Sequence, residues 1–332
     1  MMENLVAAID LGGTAIKSAL ITTKGEMVFH TSTTTGPDLS PETVVRLLDG
    51  VLDNLESRRS PDMPPIGAVG LSVPGGITAD RKTVTQSPNF PGWNDVPLVE
   101  QMAASRPIPV AMENDANAAA LGEAWRGAGQ GLSSLALYTL GTGVGGGLVL
   151  DGKVWHGAFG MAGELGHVTI EPEGPRCGCG NRGCLEALIQ RDAIIADARR
   201  VLDEGRASRL AALVDTGEEL TPALVARAAD DGCEASRGIY ENVGRILGIA
   251  AAGLLNVLNM EMILVGGGIA GAWPLIEPAL RREIHNRAFV IPARRVKIAP
   301  AMLGNDAGLF GAAKTAFELL TPTTEADGCL KA

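Results

Sequence analysis

The chain has 332 residues, 46% of them hydrophobic and 20% charged, and its 28 basic and 38 acidic residues give a net charge of -10 and a pI near 5.0. Such a balance argues against nucleic-acid partners, which need clustered Lys and Arg. The N-terminus MMENLVAAIDLGG has no basic leader, and no uncharged apolar run of about 18 residues occurs, so a cytoplasmic protein without a membrane partner is expected.

A length well beyond the ~100 to 200 residues of a typical domain predicts two lobes. Leu5 to Ile9 reads as a strand, LGGT as a turn and AIKSALIT as a second strand, making a hairpin with a glycine-rich tip. A helix is expected around Val44 to Leu55, then a buried strand AVGLSV ending at Pro74, Gly75 and Gly76. The stretch QSPNFPGWNDVPL is rich in turn residues and reads as surface or cleft loop. A helix should follow Asn114 and Asp115, then the strand LALYTL, the loop GTGVGGG and the strand LVL. Helical patterning runs from about Leu185 to Asn259, the strand MILV precedes the loop GGGIAG, and a last helix spans Asp306 to Leu320.

Glycine is the compositional outlier, with 43 residues gathered into clusters. Gly12 and Gly13, Gly141 to Gly147, and Gly266 to Gly268 each follow a strand run. Glycines there let successive backbone N–H groups converge on an anion, although each cluster alone is equally well a hairpin turn. Gly141, Gly143 and Gly146 satisfy GxGxxG, but the loop runs into a strand instead of opening a helix, which excludes a dinucleotide fold. A GxxxxGK loop followed by Ser or Thr is also missing.

Three of the five cysteines, Cys177, Cys179 and Cys184, fall in CGCGNRGCLE, ten residues after His167. Three thiolates and one imidazole suit a tetrahedral structural zinc with no open position, which argues against a zinc hydrolase. Cys233 and Cys329 have no assigned role. Asn114 and Asp115 stand before an Ala-rich helix, where either would serve as N-cap. Backbone N–H groups there would hold a carboxylate ionised.

The motifs IDLGGT, ENDANAAALGE, LGTGVGGG, GELGH and CGCGNRGCLE together resemble the ROK family of bacterial sugar kinases and related repressors, across essentially the whole chain. SPNFPGWNDVPL and GNDAGLFGAA are most similar to the glucokinases of that family. The resemblance implies an α/β two-lobed actin/hexokinase-like (ribonuclease H-like) fold with its active site in the interlobe cleft. The first lobe would hold residues 1–115 plus about 305–332, and the second 116–304.

The resemblance further implies ATP-dependent phosphorylation of a hexose, glucose before N-acetylmannosamine, mannose or fructose, with Asp115 as general base. Gly75, Asn89, Asn114, Asp115, Glu164, His167 and Glu186 would contact the sugar. Asp10 would organise the Mg2+ of ATP, and Gly12, Gly13, Thr14 and Lys17 would face the phosphates. Gly141, Thr142 and Gly143 would hold them from the other lobe, and Gly266, Gly267 and Gly268 would lie beside the adenosine. Structural Zn2+ would be bound by His167, Cys177, Cys179 and Cys184, and a homodimer or homotetramer is implied. A repressor would carry a DNA-binding domain ahead of the first strand, where only eight residues precede Ile9. A sugar sensor without kinase activity is the remaining alternative.

Overall fold

The computed structural model describes residues 4–87 and 90–321. They divide into two compact units. The first comprises the chain up to Arg126, His156–Met161 and the chain from Asp306; the second comprises Gly127–Trp155 and Ala162–Asn305.

In the first unit the strands β1 (Leu5–Leu11), β2 (Ala15–Thr22) and β3 (Met27–Thr34) form an antiparallel meander. Helix α1 (Pro41–Arg58) leads to β4 (Ile66–Val73). The short strands β5 (Gly76–Ile77), β6 (Val84–Gln86) and β7 (Asn94–Val96) make a sheet of their own before α2 (Leu98–Ser105). β8 (Val110–Asn114) then runs directly into α3 (Asp115–Arg126). The main sheet has the order β3-β2-β1-β4-β8, with β1, β4 and β8 parallel.

The second unit repeats that order. β9 (Leu135–Leu140), β10 (Val144–Leu150) and β11 (Lys153–Val154) are antiparallel. The helices α4 (Leu185–Ile189), α5 (Arg191–Asp203), α6 (Ser208–Asp215), α7 (Pro222–Asp230) and α8 (Glu234–Leu258) follow. β12 (Met262–Gly266), α9 (Trp273–Arg287), α10 (Val290–Arg295) and β13 (Lys297–Pro300) complete a sheet ordered β11-β10-β9-β12-β13. The five-stranded order found twice is that of the expected duplicated α/β fold. α8 is long and apolar enough to cross a membrane, but half of its apolar stretch is buried in this unit. The last helix, α11 (Ala307–Leu320), belongs to the first unit.

Strand periodicity explains what lies on each face of the first sheet. Leu5, Ala7, Ile9 and Leu11 pack with Val44, Leu48, Val51, Leu52 and Leu55 of α1. Val6 and Ala8 face the opposite way, with Ala19 and Ala68, against Leu309, Ala312, Ala313 and Ala316 of α11. Small side chains on that face let α11 approach the sheet closely: a Cβ added at Gly70 would lie 1.9 Å from the Ala312 carbonyl oxygen. Asp10 continues the parity of Val6 and Ala8 and therefore faces α11.

The unit boundary falls after Arg126, in place of the break at residue 115 expected from sequence. The physical reason is the crossing of α3 and α11. A Cβ at Gly122 would come 2.2 Å from the Ala307 carbonyl oxygen, and one at Gly311 would come 1.8 Å from that of Ala118. Backbone contact this close leaves no space for a methyl group, so Gly311→Ala is expected to cost about 1–3 kcal/mol or more by overpacking. Urea unfolding should show that loss as a lower midpoint at an unchanged slope.

The turn-rich stretch predicted as loop also differs. β7 lies within it, and Phe90 and Trp93 are buried with ring centroids 4.8 Å apart. The Trp93 indole N–H donates to the Leu39 carbonyl oxygen at 2.7 Å. An aromatic anchor thus ties this segment to the core beneath it.

Candidate active site

Asp10 is the last polar position of β1 and is flanked in register by Lys17 on β2 and Ser72 on β4. The Ser72 hydroxyl donates to Asp10 Oδ1 at 2.7 Å, and Lys17 Nζ stands 3.7 Å from Oδ2. Burial pushes the Asp10 carboxyl above the ordinary range; Ser72 and Lys17 pull it back and Asp306 adds to the rise. Gly308 on α11 explains how a helix reaches this carboxylate, since a Cβ there would lie 2.9 Å from Asp10 Oδ1. The turn after β1 is tight: the Gly12 N–H donates to the Ala15 carbonyl at 3.0 Å, and a Cβ at Gly12 would sit 2.7 Å from that oxygen. Gly13 is half-buried and Thr14 exposed at the tip. Asp306 and Ser72 were not expected from sequence; the only signal was an acid just before the glycine-bearing helix in GNDAGLFGAA.

The junction of β8 and α3 presents Asn114 and Asp115. Asn114 is the effective cap, its Oδ1 accepting from the Ala116 and Asn117 N–H groups at 3.0 and 3.2 Å. Its Nδ2 donates to the Gly75 carbonyl at 3.0 Å. Asp115 is exposed, and its Oδ1 accepts from the Ala116 N–H at 2.8 Å. Gly75 has φ of +109°, and a Cβ there would meet the Gln86 carbonyl oxygen at 2.2 Å, so only glycine suits the position. Asn89 lies outside the described residues. Glu113, fully buried and one residue before the pair, went unrecognised because it reads as one more polar residue in AMENDAN.

In the second unit the β9–β10 hairpin turns through Gly141, Thr142 and Gly143, with the Gly141 N–H donating to the Gly143 carbonyl at 2.9 Å. Gly145, Gly146 and Gly147, expected in the loop, lie inside β10. Their role is close packing: a Cβ at Gly146 would sit 2.4 Å from the Gly163 carbonyl oxygen, and one at Gly166 would sit 1.9 Å from that of Val144. That approach seats the GELGH segment across the strand. Gly266 ends β12, and Gly267 has φ of +84° with its backbone against Leu140, so the third glycine loop adjoins the end of β9. Gly267 and Gly268 are exposed.

Glu186, in the first turn of α4, joins the hairpin to the cysteine knuckle. Its Oε2 accepts from the Val144 N–H at 3.0 Å, and its Oε1 lies 3.4 Å from Cys177 Sγ. A Cβ at Gly143 would meet Oε2 at 2.5 Å, which explains a glycine at that turn position. Glu164 is exposed, its Oε2 3.9 Å from His167 Nε2.

The knuckle gathers one ligand atom each from His167, Cys177, Cys179 and Cys184 within 4.8 Å of one another. Cys177 Sγ is 3.6 Å from His167 Nδ1, and Cys179 Sγ is 3.7 Å from Cys184 Sγ. Ligands of a tetrahedral Zn2+, with sulfur at about 2.3 Å and nitrogen at about 2.0 Å, lie roughly 3.5–3.8 Å apart. The donor chemistry therefore fits that ion and these two separations match its geometry, with His167 Nδ1 as the ring nitrogen beside Cys177 Sγ. Positive φ at Gly180 (93°) and Gly183 (64°) gives the knuckle its sharp reversals.

A family model described as ROK family matches residues 6–318. The chain is 37% identical to a glucokinase of Halalkalibacterium halodurans over 314 residues, covering 94% of each. A xylose repressor of Caldicellulosiruptor bescii is 32% identical over 92% of this chain and 76% of its own length. The crystal structure of a ROK family glucokinase from Streptomyces griseus in complex with glucose and AMPPNP superposes with a TM-score of 0.77 at 30% identity. That match covers 95% of this chain and 100% of the other.

Proposed function

The chain belongs to the ROK family, and from that premise we infer that it is an ATP-dependent hexose kinase of the glucokinase type, converting glucose to glucose 6-phosphate. The observation that carries this reading is the exposed Asp115 carboxylate, fixed at the start of α3 by a backbone N–H and standing beside the capping Asn114. A carboxylate so placed accepts the proton of a sugar hydroxyl as that oxygen attacks the γ-phosphorus. The new P–O bond forms as the bond to the β-phosphate oxygen breaks, and ADP leaves. A strong base is not needed, because positioning and charge stabilisation dominate phosphoryl transfer.

The remaining roles follow from what each side chain has left to offer. Asn114 spends Oδ1 on two amides and one N–H on Gly75, which leaves a second N–H for a hydroxyl. Glu164, His167 through Nε2, and Glu186 through Oε1 supply acceptors or a donor for further hydroxyls, Gly75 belongs to the loop beside the sugar, and Asn89 is a further proposed sugar contact. Asp10 orients the Mg2+ that accompanies ATP, which supplies charge neutralisation at the β- and γ-phosphates. Lys17 balances Asp10, while Gly13 and Thr14 present backbone N–H groups to the phosphates at the turn that the Gly12 N–H closes, as do Thr142 and Gly143 at the turn that the Gly141 N–H closes. Gly266, Gly267 and Gly268 line the adenosine.

His167, Cys177, Cys179 and Cys184 hold a Zn2+ that supplies rigidity and no chemistry of the reaction. A cytoplasmic homodimer or homotetramer accompanies this reading. Coupling to glucose-6-phosphate dehydrogenase tests it: glucose and MgATP should yield NADPH at the rate of ADP release. ADP release with N-acetylmannosamine and none with glucose would move the substrate to that sugar.

A further inference from the structure

Glu113 has a side chain only 1% exposed, and a carboxylate at that depth is costly unless its oxygens are matched by donors. They are. Oε1 accepts from the Asn114 N–H at 3.0 Å and from Asn117 Nδ2 at 3.3 Å. Oε2 accepts from His156 Nε2 at 2.7 Å and from Arg81 Nη1 at 3.5 Å. The donors come from three separate segments: the start of α3, the β5–β6 hairpin, and the His156–Met161 stretch that rejoins the first unit.

Other contacts bring the same three segments together. Arg81 holds φ of 57° at the hairpin turn, a left-handed conformation that residues other than glycine rarely adopt, and its guanidinium also reaches Glu318 of α11 at 3.9 Å. A Cβ at Gly160 would lie 3.0 Å from Ala79, and one at Gly76 would lie 3.3 Å from Met161 Cε. Asn114 is tied to Gly75, just before β5. Each of these segments carries or adjoins a residue of the catalytic reading, and Glu113 is a buried charged group on which all three converge.

We propose that Glu113 is a positioning residue for phosphoryl transfer, which through His156 and Arg81 locks the β5–β6 hairpin and the His156–Met161 stretch onto the start of α3. It thereby fixes where Asp115 and Gly75 stand. The inference rests on the kinase reading. Loss of one anchor leaves Asp115 present but displaced, and small displacements of a reacting group cost up to about 10²-fold.

The test compares wild type, His156→Ala, His156→Gln and Glu113→Gln in steady-state ADP release with glucose and MgATP, with thermal melts to establish folding. His156→Ala and Glu113→Gln should each lower kcat/KM for glucose about tenfold or more, with the KM for ATP within about twofold. His156→Gln keeps an N–H donor toward Glu113 and should recover most of the loss. A general structural defect would depress both substrates together and would not respond to glutamine. If Glu113→Gln does not fold, the His156 pair decides the matter alone. Folded His156→Ala with wild-type glucose kinetics, or His156→Gln no better than His156→Ala, would overturn the inference while the kinase reading stands. Absence of hexose turnover in the wild type would overturn both.

Discussion

Asp115→Asn should lower turnover with glucose and MgATP by about 10²–10⁴-fold, the usual contribution of a positioned general base. Asparagine preserves the size of the side chain and its acceptor toward the Ala116 N–H, so the start of α3 should keep its conformation. Glucose binding measured by calorimetry should therefore stay close to wild type while kcat collapses. That pattern identifies an interaction made only in the transition state. Turnover within a few fold of wild type would remove Asp115 from the base role. Asn114→Ala should behave differently, because it removes the cap and the tie to Gly75, and its glucose affinity and its stability should both fall.

Cys179→Ser is expected to give the second largest effect, through a residue outside the proposed sugar and nucleotide contacts. Cys179 is exposed, so the substitution leaves packing intact while removing one of the four proposed ligands. Zinc content by inductively coupled plasma mass spectrometry should fall from one ion per chain to well below one. The glucose KM should rise about 10–100-fold, as it does when the groups that orient a site are lost. The route is explicit. His167 is a member of the proposed ligand set, and Glu186 lies 3.4 Å from Cys177 Sγ while holding the Val144 N–H. Loosening the knuckle frees both side chains. The β9–β10 turn retains its own hairpin pairing, so the KM for ATP should move less than that for glucose. A wild-type protein containing no zinc would end this explanation of the knuckle.

Much of this arrangement is legible in the sequence, because the chemistry there has a local signature. Strand runs that stop at glycine mark the turns at Gly12 and Gly141, and CxC within a glycine-rich segment marks the knuckle. Other features depend on partners remote in sequence. Gly145, Gly146 and Gly147 look like a continuation of the loop, and only the backbone of Gly163 lying across β10 explains them as strand residues. β3 carries MVFHTSTT with alternate residues exposed, a polar edge strand that the sequence reading leaves unassigned between AIKSALIT and the helix around Val44. Phe90 and Trp93 are hidden in a turn-rich stretch because the core they enter is built from remote segments, and the indole N–H of Trp93 finds its acceptor at Leu39, 54 residues away.

The acids divide in the same way. Asp10 and Asp115 stand beside motifs, whereas Glu113 gains its meaning from His156 and Arg81, and Asp306 from the return of α11 to Asp10. The boundary at Arg126 follows the same logic, set by glycine contacts between α3 and α11 that no local pattern announces.

The central claim, a hexose kinase whose base is Asp115, is tested most directly by ADP release from MgATP against glucose, mannose, fructose, N-acetylglucosamine and N-acetylmannosamine, with Asp115→Asn as the blank. Turnover with glucose exceeding every other sugar, and lowered about 10²–10⁴-fold in the variant, is the result this account predicts. A zinc-loaded, sugar-binding protein that releases no ADP with any of the five would contradict it and identify a sugar sensor on the same fold.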